Sequence, residues 1–226
     1  MSASLVLKKK EEIFKFKEEQ AEANIISQEN NHTKNKPLMI LGPSGVGKDT
    51  LTNMLKKKYP SLLKKCVSNT TRKMRTNEKE GVNYFYISEK QFKELESKNE
   101  LIGIFKKYDI FYGTSKKVIK EALKEDKIVY FDYNIETAIK INEENDLEFN
   151  YIAIILEDIG ELEKRLRHRG TEDEETIKKR MAYAHEELKL IKKSKFINFV
   201  IKNDKLDDAF KDFELCIQKL YPQMFK

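Results

Sequence analysis

The run P-L-M-I-L at residues 37–41 passes directly into Gly42-Pro43-Ser44-Gly45-Val46-Gly47-Lys48, and this junction constrains the chain more than any other feature. A short apolar run ending in glycines reads as a buried strand, and the turn then opens a helix carrying Leu51, Met54 and Leu55 on one face. The glycines let the backbone fold so tightly that successive N–H groups point inward, at the positive end of the following helix. Such a cradle suits polyphosphate oxygens, with Lys48 reaching the β- and γ-phosphates. A chance glycine turn would not need this strand–loop–helix context. The residue after the lysine is ordinarily Ser or Thr, whose hydroxyl ligates Mg2+; here it is Asp49. A carboxylate is also a hard oxygen ligand that magnesium accepts, and it is favoured in a helix's first turn. It nevertheless adds negative charge beside phosphate. Thr50 follows, turned about 100° further around the helix.

Beyond the loop, strand-length apolar runs recur at residues 66–68, 128–131, 151–156 and 199–201. Helical patterns occupy about 115–125, 134–145, 158–168, 173–193 and 205–220. Alternating short strands and helices predict an α/β fold, a parallel sheet with helices on both faces. Residues 70–113 break the rhythm: N-Y-F-Y-I and L-I-G-I-F are aromatic and alternating, and predict a small, mostly β lobe inserted in the main fold. The expected organisation is a core of 37–69 and 114–226, a lobe of about 70–113 and a lid of about 165–180. Residues 1–36 are polar and without period, and read as a flexible extension to the 37–226 domain.

A second set of residues narrows the chemistry. Ser68-Asn69-Thr70-Thr71-Arg72-Lys73-Met74-Arg75 is followed by Glu78, Gly81 and Tyr84. Two arginines three apart in a loop suit bidentate capture of a phosphate monoester, and a tyrosine hydroxyl can complete the cradle. Phe111-Tyr112-Gly113-Thr114 lies downstream, and Arg165-Leu166-Arg167-His168-Arg169-Gly170-Thr171-Glu172 closes one helix and opens another. Thr171 with Glu174 has capping-box spacing.

From about 37 to 220 these motifs stand in an order that resembles the guanylate kinases: G-P-S-G-x-G-K, S-x-T-T-R-x-x-R, G-x-x-Y, Y-G-T-S, R-L-x-x-R-G-T-E and a late N-D. The resemblance implies a P-loop nucleoside monophosphate kinase that moves the γ-phosphate of Mg-ATP onto GMP or dGMP. It implies that Arg72, Arg75, Tyr84 and Tyr112 hold the GMP phosphate, that Ser68 and Thr114 face the guanine, and that Glu78 lies in the same site. Arg165, Arg169 and Arg180 would fold over ATP, and Asn203, beside Asp204, would lie near the adenine. With Lys48 and Arg72 these arginines form the expected catalytic set. Asp132 carries over as the metal-side carboxylate beside Asp49, within the GMP-binding set. Two further departures stand beside Asp49: the family's guanine-reading glutamate falls on Gly103, and D-Y-N at 132–134 replaces the family's D-x-D. An inactive binding module of the same fold, and a kinase of another phosphorylated small molecule, are the alternative readings.

Composition excludes other classes. Forty-four Lys and Arg against 38 Asp and Glu give +6, spread along the chain without an arginine-rich tract, so no nucleic-acid partner is expected. No stretch approaches the roughly 20 apolar residues of a membrane span. Cys66 and Cys216 have neither metal nor redox spacing. A monomeric cytoplasmic enzyme whose partners are its small-molecule substrates is the expectation.

Overall fold

The computed structural model describes residues 36–225 except 77, 108, 145–146 and 169–172, and the backbone alone at 107 and 144. The expected extension, Arg169, and Gly170 through Glu172 therefore lie outside the described residues, apart from Lys36. In chain order the first elements are β1 (Leu38–Leu41), α1 (Lys48–Lys58), β2 (Leu63–Lys65), β3 (Asn69–Thr70), β4 (Phe85–Tyr86) and α2 (Glu89–Ser97). Then come β5 (Leu101–Lys107), β6 (Ile110–Ser115), α3 (Lys116–Ala122), β7 (Ile128–Asp132) and α4 (Ile135–Glu144). The chain continues through β8 (Asn150–Ile155), α5 (Ile159–His168), α6 (Glu174–Lys193), β9 (Phe199–Lys202), α7 (Leu206–Leu220) and a 3-10 turn at Pro222–Phe225.

Five strands form a parallel sheet in the order β2-β7-β1-β8-β9. All four residues of β1 are buried because helices cover both faces. Side chains alternate across a strand, so Leu38 and Ile40 pack with Leu51 and Leu55 of α1 and with Phe213 and Ile217 of α7. Met39 and Leu41 face the opposite layer, with Ile119 of α3 and Ile135, Ala138 and Ile141 of α4. One strand with no polar residue thus feeds two cores. Among the described residues, no helix is long and apolar enough to cross a membrane.

Residues between β2 and β7 build a second sheet, ordered β4-β3-β6-β5, with β6 antiparallel to both β3 and β5. It is less purely β than its sequence predicts. Ser88 caps α2 in a full capping box: its hydroxyl accepts from the Gln91 amide at 3.2 Å, while Gln91 Oε1 accepts from the Ser88 amide at 2.8 Å. The helix buries only Phe92, whose ring lies 5.4 Å from Phe111. A single buried residue leaves too little periodicity for the helix to stand out in the sequence.

Two other expectations shift. The strand expected at 66–68 lies at 63–65, although the Cys66 amide still donates to the Tyr130 carbonyl at 2.9 Å. β2 is an edge strand, so Lys64 and Lys65 reach water and mask the apolar signal. The cap of α6 is Asp173, whose carboxylate accepts from the Thr176 amide at 2.7 Å, rather than Thr171. A carboxylate at the cap adds the attraction of the helix dipole to that bond.

Candidate active site

The glycine loop leaves the carboxyl end of β1 and enters α1 at Gly47, where no side chain caps the helix. The first-turn N–H groups of an uncapped helix carry its positive end. Gly47 has φ 101°, and a Cβ there would run into the Asn203 amide. Asn203 follows β9 and is 2% exposed; its Nδ2 donates to the Val46 carbonyl at 2.7 Å, clamping the loop from the end of a strand two places away in the sheet. This clamp is a role that sequence alone did not suggest. Lys48 Nζ donates to the carbonyls of Gly42 at 2.5 Å and Pro43 at 3.3 Å, and lies 3.6 Å from Asp132 Oδ1. The ammonium therefore stands between the loop and the end of β7.

A cleft of about 650 Å3 opens beside the loop, lined among others by Gly45, Gly47, Thr50, Arg165, His168 and Asn203. Arg165 donates to the Asn203 carbonyl at 3.0 Å, and Arg180 of α6 donates to Ser44 Oγ at 2.6 Å. Two of the three expected lid arginines thus reach the loop system. Arg167 instead bonds Glu163 at 2.7 Å and also bonds Glu174, fastening α5 to α6.

Arg72 and Glu78 form the centre of the other half. Arg72 Nη2 meets Glu78 Oε1 at 2.7 Å, with each side chain 14% exposed. Glu78 Oε2 also accepts from the Arg75 amide at 2.9 Å and from the Tyr86 hydroxyl at 2.7 Å. Burial would raise the Glu78 pKa, but these bonds, Arg72's first, hold the carboxyl down at about 2. Burial likewise opposes the charge on Arg72, and the Glu78 bond outweighs it. The Arg72 guanidinium sits 5.6 Å from the Tyr84 ring centre and 5.8 Å from that of Tyr86. Tyr86 was not singled out in the sequence, yet its spacing of two from Tyr84 is the signal for a shared strand face. Tyr112 stacks on Phe105 at 4.7 Å and lies 5.8 Å from Tyr84. Arg75 is exposed at the rim.

The two halves converge on Tyr84. Its phenol is held well above the ordinary range, first by burial and then by Asp132, Tyr112 and Asp49, while Arg72 opposes them. Asp132 lies 3.6 Å from the Lys48 ammonium, and Asp49 is the next residue in the chain after Lys48, so both acids belong to the glycine-loop side. Among the described residues, no three His, Cys, Asp or Glu side chains gather as a metal cage. Mg2+ asks for none, since it keeps waters and takes one or two carboxylates together with phosphate oxygens. The two acids fit that donor set.

Ser68 Oγ lies 2.7 Å from Thr114 Oγ1, and Thr114 in turn bonds the hydroxyl of Tyr133. Asn134, where the family carries its second acid, donates to Tyr183 at 3.2 Å and accepts from the Thr137 amide at 2.9 Å.

A parallel sheet whose first strand ends in a glycine loop, with a lysine at the mouth of the next helix, defines the P-loop α/β class. The guanylate kinase family model matches residues 34–220. The guanylate kinase of Clostridioides difficile is 38% identical over 177 residues, spanning 78% of this chain and 84% of its own length. That of Schizosaccharomyces pombe is 32% identical over 185 residues, covering 81% and 91%. The crystal structure of guanylate kinase from Anaplasma phagocytophilum superposes with a TM-score of 0.63 at 22% identity, over 86% of this chain and 89% of that one. The chain belongs to the guanylate kinase family.

Proposed function

We propose that the protein transfers the γ-phosphoryl group of Mg-ATP to GMP, giving ADP and GDP. The observation that carries this reading is the pairing of two anion-binding halves: the glycine loop, whose Lys48 lies 3.6 Å from Asp132, and the cluster in which Arg72 lies 5.6 Å from the Tyr84 ring and Tyr84 5.8 Å from Tyr112. Two such halves suit a reaction between two phosphorylated ligands.

ATP lies with its phosphates on the N–H groups of residues 44–50, and its phosphates exchange for the carbonyls of Gly42 and Pro43 that now hold Lys48. GMP lies with its phosphate against Arg72, Arg75, Tyr84 and Tyr112, and its base against Ser68 and Thr114. A GMP phosphate oxygen attacks the γ-phosphorus in line as the bond to the β–γ bridging oxygen breaks, and ADP leaves. Positioning supplies most of the catalysis. Lys48, Arg165, Arg169 and Arg180 counter charge on the transferring group. Asp49 and Asp132 would hold Mg2+, which when bound neutralises charge on the β- and γ-phosphates. Glu78 keeps Arg72 in place.

The test is ADP release from Mg-ATP with a panel of nucleoside monophosphates, for the wild type and Lys48→Ala. GMP-dependent turnover that falls by about a hundredfold or more in the variant is expected. Nucleotide binding without turnover on any acceptor would instead support an inactive binding module.

A further inference from the structure

Gly103 and Tyr133 are built around one another. Gly103 has φ +60°, at the irregularity in β5–β6 pairing between Ile102 and Phe105. A Cβ placed on Gly103 would lie 2.8 Å from Cε2 and Cζ of Tyr133 and 3.0 Å from its hydroxyl oxygen. The obstacle is a ring, not the loose end of a flexible chain: Tyr133 is 3% exposed and lies 5.7 Å from the Phe131 ring. No side chain can project from position 103 while that ring is in place, and the left-handed backbone there independently disfavours one.

The hydroxyl of Tyr133 begins a chain that runs outward through Thr114, fully buried, to Ser68, half-buried. Ser68 also bonds the phenol, so the three hydroxyls form one polar cluster that the Tyr133 ring closes off on the core side. Asn134, where the family carries its second acid, gives one amide hydrogen to Tyr183 and one oxygen lone pair to the Thr137 amide, and Tyr183 passes its own proton to Glu136 Oε2 at 2.7 Å.

We propose that Tyr133 is the specificity-determining residue of the acceptor base site: its ring excludes a side chain at 103, and its hydroxyl ties Thr114 and Ser68 into one polar wall. The site then leaves the 2-position of a 6-oxopurine unread. This rests on the reading of Ser68 and Thr114 as the base wall. A site that makes no bond to the 2-amino group loses little when that group is missing.

The experiment is kcat/KM for GMP and IMP in the wild type, Gly103→Glu, Tyr133→Phe and the double variant Gly103→Glu/Tyr133→Ile. Wild-type GMP and IMP are expected within about tenfold of each other. Gly103→Glu alone loses activity on both 6-oxopurines without gaining discrimination, whereas the double variant raises the GMP:IMP ratio at least about tenfold. Tyr133→Phe keeps the ratio but raises the KM of both 6-oxopurines several-fold, with the KM for ATP unchanged. Transfer to GMP with hundredfold rejection of IMP overturns the inference alone. So does a Gly103→Glu enzyme that gains discrimination while keeping its activity, or a Tyr133→Phe enzyme with unchanged acceptor KM. No transfer to any nucleoside monophosphate overturns the proposed function, and the inference with it.

Discussion

Arg72 and Arg75 are equivalent in the sequence but not in the molecule. Arg72 is partly buried and paired with Glu78, whereas Arg75 is exposed and offers Glu78 only its backbone amide. Arg72→Ala and Arg75→Ala are each expected to raise the KM for GMP by about ten- to a hundredfold, with ATP binding nearly intact. Only Arg72→Ala is expected also to lower stability, by about 1–3 kcal/mol, because Glu78 loses a charged partner; denaturant titration separates the two. Glu78 has its own pH signature. Its folded pKa, about 2, lies below the ordinary 4.5, so its stabilisation is complete above pH 4.5 and is lost as pH falls toward 2. The gap in melting temperature between wild type and Glu78→Gln should be full at pH 7 and shrink steadily below pH 4.5. Asp49 is exposed in the first turn of α1. At an effective dielectric of about 20, a charge about 4 Å from phosphate is worth roughly 4 kcal/mol before screening, and the metal offsets much of that. Asp49→Ser should therefore speed transfer, or lower the Mg2+ needed, by a few-fold to tens-fold. A markedly slower variant at saturating Mg2+ would show that the Asp49 carboxylate serves the metal better than a hydroxyl.

At the scale of elements, α2 stands on its cap. One fully buried side chain, Phe92, anchors nine residues, so the two reciprocal Ser88–Gln91 bonds carry an unusual share of its stability. Ser88→Ala is expected to destabilise the protein by about 1 kcal/mol, read as a shift in denaturation midpoint with unchanged slope. Because Phe92 packs against Phe111, one residue before Tyr112, the variant should affect the KM for GMP before that for ATP. The α6 helix joins both halves in a different way. Arg180 reaches Ser44 in the glycine loop, and three residues on Tyr183 reaches Asn134 at the end of β7. Residues three apart lie on one helix face, so one element touches the glycine loop and the end of β7 together.

At the scale of the whole molecule, the buried residues of both described cores run from Leu38 onward, and the earliest described tertiary bond is from the Tyr221 hydroxyl to the Lys36 carbonyl at 2.8 Å. A chain lacking residues 1–34 should therefore fold and keep most of its kcat. A soluble truncation that lost its activity would refute this, by showing that the first residues complete the site.

The sequence by itself determined the α/β class, because period-2 and period-3.6 patterns and a glycine loop at a strand–helix junction are local properties. It also located the residues of both halves, since charges and turn residues can be read without neighbours. Tertiary structure alone decided how they pair. Glu78, expected in the GMP site, is also the counter-charge that holds Arg72; Asn203, expected beside the adenine, also clamps Val46. Gly103 looked like a lost side chain. Only the fold shows that Tyr133, thirty residues later, fills the space beside it, because which side chains share a volume depends on how strands far apart in the chain are brought together.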